Sequence, residues 1–128
     1  MKLLLILSLF TLFLSGCSTI DRPIFVRSYQ NCIDVNSCFN TIRTTIESKW
    51  HVPENAAKNG LQAKLRVHLT DDKVVSEILV IESSGNIDFD KSAIDAIRLA
   101  QDFRELNGLN KEIYEENFKH FIMGFKPD

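Results

Sequence analysis

The sequence predicts an α+β domain, a three-stranded antiparallel sheet with two helices packed on one face, in the order helix, strand, strand, helix, strand. Two patterns predict it. Residues 61–69 alternate apolar and polar, and a second apolar segment follows after a four-residue turn, which is typical of a β-hairpin. Helical spacing of apolar residues occurs on both sides of this hairpin. A last apolar segment near the carboxyl end supplies the third strand.

The first helix is predicted from about Asn36 or Ser37, either of which can cap it, to Trp50. Its apolar positions recur at spacings of three and four residues and form one stripe: Phe39, Ile42, Ile46 and Trp50. The segment that follows, HVPENAAKNG, ends the helical pattern, with Pro53 and Gly60 as helix breakers. Trp50 is expected to cover the core rather than to form a platform for a ligand.

The hairpin and the second helix come next. Thr70 to Lys73 is the predicted turn, and the returning strand ends at Ser83-Ser84-Gly85-Asn86. Gly85 is expected to supply a positive φ, and a helix from about Phe89 to Gln101 is expected to be capped by Asp88. Residues 102–112 are predicted as a loop.

The last element, YEENFKHFIMGF (residues 114–125), is predicted as the third strand. Alternation places Phe121, Met123 and Phe125 on one face, and His120 and Ile122 on the other. The last strand, or the first strand of the hairpin, is expected at a sheet edge, where a partner peptide can add a strand. Side chains that could contact such a partner are Phe121, Met123, Phe125, Lys126 and Trp50.

The amino-terminal residues are typical of a targeting segment. One lysine precedes an apolar run, Leu3 to Leu14, that is too short for a bilayer span of about 20 residues. Leu14-Ser15-Gly16-Cys17 resembles the lipobox of bacterial lipoproteins, in which the cysteine is acylated. We therefore expect residues 1–16 to be a lipoprotein signal peptide, 17–31 a lipidated amino terminus and tether, and 32–128 the folded domain. Ser18 after Cys17 favours the outer membrane, with the domain facing the periplasm.

The other two cysteines are Cys32 and Cys38. An even pair in an oxidising compartment suggests a disulfide. Positions six apart on one helix point in different directions, so a bridge needs Cys32 in a non-helical lead-in that folds back onto the first turn. A catalytic dithiol is less favoured, because redox motifs hold their thiols two residues apart.

The residues offer little for catalysis. Ser83 and Ser84 stand between a strand and a helix, but their neighbours do not form Gly-x-Ser-x-Gly or a phosphate-binding loop. The three histidines lack ligand spacing. The net charge of −2 gives no electrostatic reason to expect nucleic acid. The sequence thus predicts a non-enzyme with no cofactor, metal or small-molecule substrate.

The domain resembles the TolA C-terminal domain, within the wider TolA/TonB C-terminal family. TIESKWHVP resembles the end of that family's first helix, residues 65–100 its hairpin, Ser-Gly turn and second helix, and FKP its closing residues. The resemblance implies the fold and a protein-binding role, with periplasmic or outer-membrane partners such as TolB or other Tol-system proteins. It does not imply energy transduction, because this chain shows no inner-membrane helix or long helical stalk.

Four functions fit these expectations. The first is an outer-membrane-anchored lipoprotein that docks envelope proteins, by strand addition, to maintain the envelope. The second is a mobile-element decoy or exclusion factor against phage or bacteriocin entry. The third is a structural subunit of a secretion or conjugation apparatus, and the fourth is a lipoprotein unconnected to the Tol system.

Overall fold

The computed structural model describes Gly16 and residues 30–128 of the chain. The predicted lipidation site, Cys17, and most of the predicted signal peptide and tether lie outside these residues. The helices are α1 (Val35–Glu47), α2 (Ile87–Ala100) and α3 (Lys111–Asn117), and the strands are β1 (Ala63–Leu69), β2 (Val75–Glu82) and β3 (His120–Phe125). A short 3-10 helix, Arg104–Gly108, links α2 to α3. Among the described helices, none is long and apolar enough to cross a membrane.

The predicted fold class and the order of its five elements are confirmed, with α3 and the 3-10 helix added. The sequence interpretation assigned the whole of 114–125 to a strand, and its first residues are instead helical. Asn110 caps α3, because its side chain accepts a hydrogen bond of 2.9 Å from the Ile113 amide. Tyr114 and Phe118, four residues apart, are both buried. The strand pattern begins only at His120.

The sheet has the order β2-β1-β3, with both pairings antiparallel. The expectation that β1 could be an edge strand is therefore wrong, whereas β3 does lie at an edge. The reason is visible in burial. Every second residue of β1 is buried, from Ala63 to Leu69, whereas β2 contains no residue in the buried class. The strand with the most completely covered face takes the centre.

The core lies between the sheet and the helices. The buried face of β1 packs with Ile42 and Ile46 of α1, and with Phe89 and Ile97 of α2, in one apolar cluster. The opposite face of the sheet carries charged and half-exposed side chains. This two-layer arrangement leaves one whole face of the sheet open to solvent.

Both helix caps differ from the predicted ones. Asp34 caps α1, accepting from the Ser37 amide at 2.9 Å, so the helix begins earlier and it ends at Glu47, before Trp50. Asn86 caps α2 by accepting from the Phe89 amide at 3.0 Å, and Asp88 lies inside the first turn. In each case the cap is the last extended residue, three positions before the amide that it binds.

A disulfide joins Cys32 to Cys38, with Cα atoms 5.2 Å apart. Cys32 lies in the non-helical lead-in and Cys38 in α1, as a bridge requires. The lead-in also pairs with the 3-10 helix, since the Cys32 amide donates to the Glu105 carbonyl at 3.1 Å. A Cβ at Gly108 would lie 2.5 Å from the Cys32 carbonyl oxygen, so only glycine fits this contact.

Candidate functional site

The outer edge of β3 exposes backbone groups. The Leu69 amide donates to the Lys119 carbonyl at 2.9 Å, which sets the hydrogen-bonding phase of the β1–β3 ladder. By alternation, the odd-numbered residues of β3 bond to β1. The N–H and C=O groups of His120, Ile122 and Gly124 therefore point away from the sheet. They form an edge to which an extended chain can bind.

The apolar side chains predicted to contact a partner fill the core instead. Phe121, Met123 and Phe125 are 7%, 8% and 1% exposed. Strand β3 can thus contribute its backbone to a partner, but little of these three side chains. Lys126 is exposed just beyond the strand end.

Trp50 lies over the core at the end of β3. Its ring packs edge-on against Phe89 and Phe125, with centroids 5.7 and 5.1 Å away, and its Nε1 donates to Ser92 Oγ at 3.0 Å. The side chain is half-buried. These contacts match the expectation that Trp50 covers the core.

A groove of about 410 Å³ lies between α1 and β3. Its walls include Phe39, Ile42 and Arg43 from the helix and Ile122 and Gly124 from the strand. Phe39 is exposed on this side and its ring lies 4.6 Å from that of Phe118. A Cβ at Gly124 would meet nothing within 4 Å, so the strand surface is open there. The sequence interpretation assigned Phe39 to the core stripe and missed this groove.

The open face of the sheet is apolar and basic near β3. Leu79, Arg66 and Ile122 form one cross-strand row, in which Leu79 is 41% and Ile122 55% exposed. In the next row the rings of His68 and His120 are 4.2 Å apart. His68 Nδ1 also lies 3.3 Å from a carboxylate oxygen of Glu77. In the sequence, Leu79 and Ile122 look like ordinary apolar strand residues, so the strand pattern did not reveal this surface.

The other sheet edge, β2, is less available. Two register irregularities interrupt its pairing with β1, and such bulges disturb the hydrogen-bonding pattern at an edge. Its first residues are also occupied. The Val75 amide donates to the Gln101 carbonyl at 3.0 Å, and the Phe103 amide donates to the Lys73 carbonyl at 3.0 Å.

The serine turn has a structural role in the described geometry. Ser84 donates to Asp90 through its amide at 2.9 Å and its hydroxyl at 2.6 Å, and the Ser83 hydroxyl donates to the same carboxylate. Burial acts to raise the pKa of Asp90, but the bonds from Ser83 and Ser84 outweigh it and lower that pKa. Gly85 has φ +81°, as predicted. The carboxylate holds the turn closed.

Within residues 30–128, no three His, Cys, Asp or Glu side chains are grouped so as to hold a metal ion. His51, His68 and His120 lie in the loop after α1, in β1 and in β3, and none is bonded to the serine turn.

The family model described as TonB C terminal matches residues 38–118. The Tol-Pal system protein TolA of Pseudomonas aeruginosa is 25% identical over 83 residues, which are 65% of this chain and 24% of that protein. This chain thus spans about a quarter of the length of that relative.

Two solved structures align with this chain, and the first of them is similar to it in fold. One is TolAIII bound to a peptide from the amino terminus of TolB, with a TM-score of 0.66, 23% identity, and coverage of 86% of this chain and 88% of that one. The other is the Helicobacter pylori TonB C-terminal domain, with a TM-score of 0.46, 22% identity, and coverage of 71% and 92%.

Proposed function

This chain belongs to the TonB C-terminal family, and from that membership we propose that it is a protein-interaction module of the bacterial cell envelope. It takes up an extended segment of a partner protein as a fourth strand beside β3. The observation that carries the proposal is the outward-facing backbone of His120, Ile122 and Gly124, next to the groove along α1. No step of this function requires catalysis.

The two sides of the edge select the partner's side chains. In an added strand, successive side chains point to opposite faces. One set enters the groove beside Phe39 and Ile42, and this set is apolar. The other set lies over the open face of the sheet, beside Ile122 and Arg66.

Charge supports an acidic character in the second set. Arg66 and Lys126 lie on or beside β3, whereas Glu82 on the open face is already paired with Lys64 at 3.0 Å and Glu77 lies 3.3 Å from His68 Nδ1. An added strand that alternates apolar and acidic residues therefore complements this edge.

The similarity to TolAIII, whose structure holds a peptide from the amino terminus of TolB, supports a Tol-system partner. The lipobox-like Leu14 to Cys17 supports a lipid anchor on the outer membrane, with the domain in the periplasm. In this arrangement residues 17–31 are the tether between the membrane and the docking edge.

The docking edge is tested by Ile122→Pro. Proline removes the outward N–H of Ile122 and leaves the bonds to β1 in place. The matched control is Val80→Pro on the opposite edge. Leu79 pairs with Arg66 and bonds to β1, so by alternation the backbone groups of the next residue, Val80, point outward. The readout is amide hydrogen exchange with a peptide from the amino terminus of TolB of the same cell.

Bound peptide should protect the amides of His120, Ile122 and Gly124, and Ile122→Pro should weaken binding at least tenfold while Val80→Pro does not. Equal binding by both variants would remove β3 as the docking edge. Arg66→Glu should weaken binding of an acidic peptide, most strongly at low salt, whereas Arg98→Glu on α2 should not.

The partner and the anchor are tested in cells. Envelope proteins retained by the lipidated chain and lost with Ile122→Pro identify the partner. Recovery of secretion or pilus subunits instead of Tol proteins would favour the apparatus-subunit alternative, and protection of cells from phage or bacteriocin killing would favour the decoy. Cys17→Ser should release the protein into the soluble periplasm, and a variant that stays membrane-bound contradicts the lipid anchor.

A further inference from the structure

A second cleft lies on the other side of α1, between this helix and the carboxyl end of α2. Its volume is about 750 Å³. The wall formed by α1 and the residue that follows it carries four hydroxyl groups, from Thr41, Thr44, Thr45 and Ser48. The groove beside β3 has a different set of α1 residues, so the two sites do not overlap.

Two carboxylate oxygens beside this cleft have no hydrogen-bond partner among the described residues. Glu105, which lines the cleft, is only 8% exposed, and its Oε2 is buried without a hydrogen bond. Asp102 Oδ1 is buried and unbonded as well, while Asp102 Oδ2 accepts from Arg104 Nε at 2.8 Å. A buried carboxylate oxygen without a donor is costly, which makes a bound cation favourable here.

The position of Glu105 is set by the backbone. Its carbonyl accepts from the Cys32 amide at 3.1 Å, and the disulfide ties Cys32 to α1. The backbone that carries Glu105 is therefore tied to the lead-in and to α1, and local unfolding of the 3-10 helix would have to break these contacts.

Other groups in the cleft add negative potential. Helix α2 ends at Ala100 in the cleft wall, and the carbonyl end of a helix favours cations. The hydroxyls of Thr41 and Thr44 donate to α1 carbonyls at 2.9 and 2.8 Å, which leaves their oxygens free to accept. Lys49 also lines the cleft, but neither orphan oxygen is bonded to it.

We propose that this cleft binds an organic cation, an alkylammonium or guanidinium group, with Glu105 and Asp102 as the opposing charges. The cleft is much larger than a single ion, and it offers acceptors along the chain of such a ligand. An alkylammonium or guanidinium group has two sources: a free polyamine, or a lysine or arginine side chain of a bound protein.

The test is calorimetric titration of the full chain with spermidine, and separately with a blocked lysine or arginine (the N-acetyl amide). Saturable binding of either probe supports the proposal, and the one that binds more tightly identifies the source. Glu105→Gln should weaken binding at least tenfold. Glu112→Gln on α3, which removes an exposed acid elsewhere, should leave binding unchanged.

A second variant keeps the proposal testable if Glu105→Gln does not fold. Leu99, at the cleft wall, is 60% exposed, so Leu99→Lys adds an ammonium group without disturbing the core. It should also weaken binding at least tenfold, whereas Ile87→Lys, at the exposed start of α2, should not. No saturable binding of any probe, or equal binding by the wild-type chain, Glu105→Gln and Leu99→Lys, would overturn the proposal.

Discussion

Trp50 and Phe125 pack edge-on, with ring centroids 5.1 Å apart, so that the segment after α1 closes the core at the end of β3. Trp50→Ala should lower the free energy of unfolding by about 3 kcal/mol. This value is at the lower end of the losses seen when a large aromatic residue is replaced by alanine, because the indole is only half-buried. Urea unfolding followed by circular dichroism measures the change.

Two controls separate packing from hydrogen bonding at Trp50. Trp50→Phe and Ser92→Ala each remove the Nε1 bond to Ser92 and keep an aromatic ring in place, so each should cost about 1 kcal/mol. A loss for Trp50→Ala no greater than for these variants would mean that the ring contacts contribute little.

The disulfide predicts a modest effect on stability. Cys32 and Cys38 enclose a short loop, for which the entropy of closing the unfolded chain corresponds to about 2 kcal/mol. The double variant Cys32→Ala, Cys38→Ala should lose this amount in urea unfolding. Reducing agent should destabilise the wild-type protein and leave the double variant unchanged. Equal sensitivity of both proteins would contradict a bridge.

Asp90 predicts an acid-dependent contribution to stability. Although burial opposes it, bonding to Ser83 and Ser84 lowers the folded-state pKa below the ordinary 3.8. Its carboxylate therefore stabilises the fold fully above that value, and this contribution is lost as the pH falls through the lowered pKa. Asp90→Asn should cost about 1 kcal/mol at pH 7, and the difference from wild type should shrink at pH 2.

The neighbouring Asp88→Asn is the control for Asp90, because Asp88 is exposed on the same helical turn and does not bind the serine turn. A difference between wild type and Asp90→Asn that stays constant from pH 7 to pH 2 would show that the carboxylate charge is not responsible.

Ionisation of the Tyr114 hydroxyl should destabilise the folded protein at alkaline pH. Burial, followed by the nearby charge of Asp71, raises its pKa to about 12, and its hydroxyl donates to the Thr70 carbonyl at 2.5 Å. Since the folded pKa is raised, Tyr114 stabilises the fold fully below the ordinary pKa of 10.0, and this contribution is lost as the pH rises through about 12. Absorbance titration of Tyr29→Phe, which leaves one tyrosine, should show that midpoint.

Unfolding the same variant in urea should return the midpoint of Tyr114 to about 10. Asp71→Asn should reduce the midpoint of the folded protein only in part, because burial is the larger cause. A folded midpoint of 10 would mean that the hydroxyl is solvated.

Periodicity predicted much of the fold because it reports burial along one element. The alternation of residues 61–69 identified β1, and the spacing of Phe39, Ile42 and Ile46 identified α1. The same reasoning failed for α3, since Tyr114 and Phe118 match a helical spacing as well as the edge of an apolar segment. Caps were also misplaced, because each helix start has several capping residues within a few positions. The observed cap of α1 is Asp34 rather than Asn36 or Ser37, and that of α2 is Asn86 rather than Asp88.

The candidate site was predicted less well than the fold. An edge strand that takes up a partner was expected, but its exposed groups are backbone atoms, which no side-chain pattern reveals. Phe121, Met123 and Phe125 lie on the edge strand, but their side chains are buried in the core. The cleft around Glu105 had no sequence signal, since its buried oxygens depend on the packing of the 3-10 helix against the lead-in to α1.

The sequence by itself determined the α+β class, the order of the five principal elements and the family resemblance, because each depends on patterns within short segments. Only the tertiary structure decided that β1 is central, which edge is open, and which carboxylates lack partners. These properties depend on contacts between residues far apart in the chain, such as Val67 with Phe121 and Cys32 with Glu105.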